Sequence, residues 1–175
     1  MKSLRTGGAV LRALVQMVFM GCQYDPYYNQ YTKTKPHPDA IVGRWSLDAD
    51  SRAMVRAKGY KISKVSEPSL EFHADGTFVA RNIPDCWNAD NREVRGESES
   101  GSGAWTIGPN QDYWVLRPHF TEINGEKRGR GVLLHLSGQA PPYKILATVG
   151  DPDEGRALVF EKMLSAEKQS GSYEN

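Results

Sequence analysis

The sequence predicts an all-β protein, an antiparallel meander of about eight strands with one short helix after the first strand. Three observations carry that expectation. Two alternating runs, from Leu70 and from Thr77, meet at Asp75-Gly76, a pair that supplies the positive backbone angles a tight hairpin needs. Period-two alternation recurs from Ile41 to Phe160, broken by turns rich in Gly, Pro, Asn and Asp. No series of strand–helix units appears, which argues against a parallel sheet. Closure into a barrel removes exposed edges and is the preferred arrangement, with two packed sheets as the alternative.

Taken in order, Ile41, Gly43, Trp45 and Leu47 form one face of a first strand, opposite Val42, Arg44, Ser46 and Asp48. A short helix follows, capped by Asp48, Asp50 or Ser51. Ala49, Ala53, Met54 and Ala57 share one of its faces and Gly59 stops it. In the hairpin, a three-residue turn Ala74-Asp75-Gly76 with Gly76 left-handed sets Phe72 opposite Phe78. Leu70, Phe72, Phe78 and Ala80 then point inward, and Glu71, His73, Thr77 and Arg81 outward.

Pro84 ends this second arm, and the polar residues 88–100 read as a rim loop. Gly101-Ser102-Gly103 leads into Trp105 and Ile107, residues 108–112 turn, and Trp114 and Leu116 follow as an inward set. Residues 121–130 read as a polar loop with Asn124-Gly125 at its tip. The closing strands place inward Val132, Leu134 and Leu136, then Tyr143, Ile145, Ala147 and Val149, then, after a turn over 150–155, Leu158 and Phe160. Past Met163 the alternation ends, and residues 164–175 are expected to be a disordered tail.

A chain of 175 residues, 39% of them hydrophobic, suits one domain able to bury a core. The formal net charge is +1, but Lys2, Arg5 and Arg12 fall in a stretch without acids, so the remainder is slightly acidic. Such a body lacks the basic footprint of a nucleic-acid binder, and no nucleic-acid partner is expected. At the amino terminus a basic start precedes a short apolar run ending in Gly21-Cys22. The run falls short of the ~20 residues of a spanning helix.

It resembles a bacterial lipoprotein signal, which implies residues 1–22 as leader, Cys22 as the lipidated residue and an envelope location anchored through that lipid. Residues 23–40, with Pro26, Pro36 and Pro38, read as a flexible linker, and 41–163 as the barrel domain. With lipid on Cys22, Cys86 is the one remaining thiol. With Cys22 free in an oxidising compartment, a Cys22–Cys86 bridge is open.

Gly43-Arg44-Trp45, the run from Leu70 to Phe78 and Gly103-Ala104-Trp105 together resemble the lipocalin-like domains of small bacterial exported proteins. So does the closing segment from Gly150 to Glu161. The resemblance implies an up-and-down barrel whose closed end is plugged by Gly43 and Trp45. Trp45, Phe72, Phe78, Trp105 and Trp114 are the candidate lining of an interior for a small hydrophobic ligand. The alternative is that these side chains fill a small barrel completely. The expected function is non-enzymatic binding at the envelope. The alternative is a protein-interaction or envelope-assembly module with a solid core, acting through residues 88–100 and 121–130.

Other chemistry finds little support. Cys86 has no His beside it in sequence to activate a thiolate. His37, His73, His119 and His135 lack metal-ligand spacing, so neither metal nor cofactor is expected. Asp151, Asp153 and Glu154 read as a turn, not a calcium loop. Ser98, Ser100 and Ser102 lie on no strand-to-helix elbow.

Overall fold

The computed structural model describes residues 25–61, 67–87 and 97–163. The lipid-acceptor reading of Cys22, the leader 1–22, most of the loop 88–100 and the tail 164–175 lie outside them. The described strands are β1 (Gly43–Leu47), β2 (Ser69–Phe72), β3 (Thr77–Pro84), β4 (Ser98–Asn110), β5 (Tyr113–Ile123), β6 (Glu126–Gly131), β7 (Leu134–Ser137), β8 (Lys144–Thr148) and β9 (Ala157–Lys162). Helix α1 (Pro38–Ile41) precedes β1 and α2 (Ala49–Ala57) follows it.

All pairings are antiparallel. The order runs β4-β3-β2-β1-β9-β8-β7-β5, and β4 pairs back onto β5, which closes an eight-strand barrel with β6 as an extra strand on β5. Closure decides between barrel and sandwich in favour of the barrel.

The β2–β3 hairpin follows its local chemistry. Gly76 has φ 83°, and the Asp75 carboxylate accepts from the Thr77 amide at 2.9 Å and its hydroxyl at 2.7 Å. That turn sets Phe72 opposite Phe78, their rings 6.1 Å apart, and buries Leu70 and Ala80 as expected. On the outer side Arg81 meets Glu71 at 2.6 Å, which holds the Glu71 carboxyl below its usual range.

Trp45 is 0% exposed and donates its indole N–H to the Ile41 carbonyl at 2.8 Å. Gly43 is needed beside it, because its φ is 126° and an added Cβ would sit 3.1 Å from the Lys162 side chain. Lys162 in turn donates to the Ala40 carbonyl at 3.0 Å, tying the last strand to helix α1 before the first.

Several expectations are corrected. Ile41 is buried but closes α1 and is not part of the first strand. The cap of α2 is Asp48, accepting from the Ser51 amide at 2.8 Å, but its buried face is Ser51 and Val55. Ala49, Ala53 and Ala57 are exposed. The cause is Ser51, whose hydroxyl accepts from the Val159 amide at 2.8 Å and turns that side of the helix toward β9.

Residues 98–100 belong to β4, and the turn after β4 is only Gln111-Asp112, with Asn110 opposite Tyr113. Residues 121–130 are not a loop. Asn124 (φ 52°) and Gly125 (φ 81°) join β5 to β6 as a two-residue hairpin.

The largest correction concerns residues 25–37. Tyr31 is 2% and Thr32 0% exposed, so from Asp25 onward the stretch read as a flexible linker packs on the barrel. It acts as a strap. β5 and β7 pair directly at Val115–His135 and Leu116–Leu134. Where they diverge, Thr32 enters between them: its N–H donates to Leu136 O, and its own carbonyl accepts from the Trp114 N–H, both at 2.9 Å. The Thr32 hydroxyl donates to the Gly138 carbonyl at 2.7 Å. The sheet hydrogen bonds missing between two splayed strands are thus supplied by a segment of another origin, as buried backbone groups require.

Candidate functional site: an aromatic cleft on the outer face

The residues expected to line an interior ligand site are packed against one another. Trp45, Phe72 and Phe78 are fully buried in one core cluster, and Trp105 joins it with its indole N–H on the His73 carbonyl at 3.1 Å. Phe72 meets Trp105 at 5.3 Å, Phe78 meets Phe120 at 4.9 Å, and Trp87 meets Phe120 at 5.8 Å, mostly edge to face as ring quadrupoles prefer. Trp114 departs from this set. It has the inward parity of Leu116 but is only half-buried, lies outside the core cluster, and carries Lys35 5.4 Å from its ring.

Cys86 is buried and forms no disulfide with a described residue. Burial pushes its thiol up, against weaker opposing effects of Tyr60 and Lys58, so the nucleophilic thiolate is disfavoured. Its neighbour Tyr60 donates to the Asp85 carboxylate. His37, His73, His119 and His135 stay apart, and among the described residues no three His, Cys, Asp or Glu side chains gather as metal ligands. Asp151 performs turn chemistry, accepting from the Asp153 amide at 3.0 Å.

The strap creates the site that sequence reasoning missed. On the outer face, Tyr31, Tyr113, Val115, Leu146 and Ala157 form a second buried cluster, with Tyr27 and Val159 against it. Alternation explains it, because these strand residues have the parity opposite to the core set. Tyr31 lies 4.7 Å from Tyr113 and 4.4 Å from His135, ring centre to ring centre. Beside this cluster opens a cleft of about 530 Å³, whose walls include Asp25, Tyr27, Tyr28, Tyr113, His135 and Arg156. A sequence signal existed: Tyr24, Tyr27, Tyr28 and Tyr31 make half of the chain's tyrosines, an aromatic density unlike that of a solvated linker.

Asp25 organises the cleft. Its carboxylate accepts from the Tyr27 amide at 2.9 Å and the Tyr31 hydroxyl at 2.8 Å. Burial, then the bond to Asp25, pushes the Tyr31 phenol far above its ordinary value, and burial raises Tyr113 too. Tyr27 donates its hydroxyl to the Gly155 carbonyl at 2.9 Å, locking the strap to the turn before β9. Burial pushes His135 below its ordinary value near 6.5, and its buried Nδ1 has no hydrogen-bond partner among the described residues. His135 is therefore neutral at neutral pH.

That gives a pH dependence. His135 resists protonation when folded and accepts a proton freely when unfolded, so its contribution is full above about pH 6.5 and is lost as pH falls through the folded value. Urea unfolding should show the wild type losing more stability between about pH 7.5 and pH 5.5 than His135→Phe, which keeps a ring in place. Equal losses would remove His135 as the sensor.

The geometry defines a closed antiparallel barrel that is strapped on one side and bears an aromatic cleft outside its core. Comparison with protein-family models, with curated proteins and with solved structures found no match.

Proposed function

We propose that the protein is a non-enzymatic, lipocalin-like binding barrel that takes a small ligand in the outer cleft beside the strap, and that a lipid on Cys22 holds it at the bacterial envelope. The observation that carries the binding reading is the partition of the aromatic side chains. Inside, Trp45, Phe72, Phe78 and Phe120 pack on one another, and an apolar ligand there must displace them. An eight-strand barrel can hold one small ligand or be filled by its own side chains, and here the rings fill it. Outside, the cleft of about 530 Å³ offers polar groups on an aromatic wall, within the size range of small-molecule sites. The raised Cys86 thiol supports a role without covalent catalysis.

The basic start, apolar run and Gly21-Cys22 junction support the anchor. No helix of the described residues is long and apolar enough to cross a membrane. From Cys22 to Asp25 the chain reaches at most about 10 Å, so a lipid on Cys22 seats the cleft beside the headgroups.

Nuclear magnetic resonance titration with a fragment mixture tests the binding site. Shifts gathered on Tyr27, Tyr28, Tyr113 and His135 are the expected result. Shifts gathered on Trp45, Phe72, Phe78 and Trp105 would return the ligand to the interior. Labelling of cells with a fatty-acid analogue tests the anchor, and an unlabelled protein that differs in no way from Cys22→Ser would remove it.

One observation favours a second reading, a protein-interaction module. Among the described residues strand β6 pairs only with β5, and it is exposed along nearly its whole length, so that its other edge is one to which a partner strand can add. Cross-linking from Lys127 in cells would yield one reproducible partner under that reading.

A further inference from the structure

We infer that the ligand of the outer cleft is an organic ammonium ion, a quaternary or protonated amine seated between tyrosine rings and carboxylates. The inference rests on the binding reading above and adds the ligand's charge. Tyr27, Tyr28 and Tyr113 bring phenol rings to the cleft wall, and the face of such a ring attracts a cation.

The charges around them are unequal. Asp25 and Asp153 face the cleft with Arg156, but the Arg156 guanidinium is engaged by Glu154 at 2.7 Å. Asp25 acts on Tyr31, Tyr113 and His135 alike, favouring the protonated form of each, although burial outweighs it at His135. His135 is neutral through burial and adds no competing cation.

The protein also displays the preferred pairing at the edge of the same cluster. The Lys33 ammonium lies 4.1 Å from the centre of the Tyr28 ring and 5.5 Å from that of Tyr113. The same ammonium is 2.8 Å from the Asp112 carboxylate. A free ammonium entering the cleft meets a similar combination, the Tyr27 ring and the edges of Tyr28 and Tyr113 that Lys33 shares, with Asp25 or Asp153 in the part of Asp112. An anion would meet two carboxylates there, while the guanidinium of Arg156 and the ammonium of Lys33 are both already engaged by carboxylates. An uncharged ligand would gain the rings without the field. The ammonium can belong to a soluble amine or to a lipid headgroup, and the chemistry of recognition is the same.

The test uses the full chain and two probes of one shape, choline and its uncharged isostere 3,3-dimethylbutan-1-ol, in nuclear magnetic resonance titrations. Choline should shift the resonances of Tyr27, Tyr28, Tyr113 and His135 and bind at least about fivefold tighter than the isostere. Raising the salt concentration should shrink that preference. Asp25→Asn should reduce it as well. Asp153→Asn should do so without disturbing the fold, since Asp153 joins this turn through its backbone amide.

Equal affinities at these residues would overturn the ammonium assignment and leave the cleft standing as a ligand site. Tighter binding of the isostere, or of inorganic sulfate, would overturn it too. No shift with choline, in a protein whose cleft resonances respond to fragments, would likewise overturn the inference while sparing the binding reading. If neither choline nor fragments move these residues, both fall. Co-sedimentation with choline-headgroup vesicles but not glycerol-headgroup vesicles assigns the ammonium to a lipid. Binding of free choline without co-sedimentation assigns it to a soluble amine. Either result upholds the chemistry.

Discussion

Gly103→Ala should destabilise the barrel by about 4 kcal/mol or more, enough to unfold much of it, whereas Gly129→Ala should change stability by less than about 0.5 kcal/mol. Gly103 sits at the register shift where β4 crosses onto β5. A Cβ there would lie 2.0 Å from the His119 carbonyl oxygen and 2.9 Å from the Phe120 Cα. Both obstacles are backbone, so no rotamer change can make room. Nor can β4 back away, because its other edge is paired with β3, with Gly103 opposite Phe78. At Gly101, two residues earlier, an added Cβ would run into the Glu122 carbonyl oxygen in the same fashion. Together the two glycines let β4 and β5 approach where the barrel bends, as glycines in strand interiors commonly do. At Gly129 on the exposed β6, an added Cβ would find only the His119 imidazole at 3.8 Å. Urea unfolding followed by circular dichroism reads both variants. Similar midpoints for the two would mean that β4 and β5 do not come this close.

Legibility followed burial on one face only. The β2–β3 hairpin could be read to the residue because Asp75-Gly76 fixes the turn and one face of each strand is apolar. Asn124-Gly125 is a signal of the same kind. It reads as the tip of a loop and not as a strand-to-strand turn because Thr121, Glu122, Glu126 and Lys127 beside it are all exposed, leaving no alternation to read. That arm extends past the core, where a strand has no reason to be apolar on either side. Helix α2 lies where the sequence puts it and takes Asp48, one of three candidates, as its cap, yet its buried face is not the alanine face. Counting alanines ignored the long-range bond between Ser51 and Val159, which no local periodicity contains.

The candidate site divides in the same way. Trp45, Phe72, Phe78 and Trp105 were legible as interior, but whether interior means lining or filling depends on ring-to-ring contacts across the barrel. The cleft was illegible for a different reason. Its strand residues, Tyr113, His135 and Thr148, have the outward parity that a two-period reading assigns to solvent. Leu146 and Val115 on that face were the clue that something covers it, since both are buried by the strap. Prolines and polar residues in 23–40 suggested a tether. Proline also suits a strap, because both are extended and neither needs helical backbone.

Tyr31→Ala should cost about 3 kcal/mol or more, and Tyr31→Phe about 1 kcal/mol. The first empties the middle of the outer cluster, removing the ring that lies 4.7 Å from Tyr113 and 4.4 Å from His135. The second keeps the ring and deletes only the hydroxyl's 2.8 Å bond to Asp25. Tyr28→Ala is the comparison, since Tyr28 is 39% exposed, and its loss should cost less than about 1 kcal/mol. A flexible linker would predict no change for any of the three, so the ranking separates strap from tether. Alkaline pH supplies an independent reading. The Tyr31 phenol is raised in the folded protein above its ordinary value of 10.0, so its contribution is full below that value and is lost as pH climbs above it. The wild type should therefore lose stability more steeply above about pH 10 than Tyr31→Phe, which has no phenol to ionise there. Should Tyr31→Ala match the wild type at neutral pH, with parallel alkaline curves for Tyr31→Phe, residues 25–37 would be a tether after all. The outer cleft would then lose the wall that defines it.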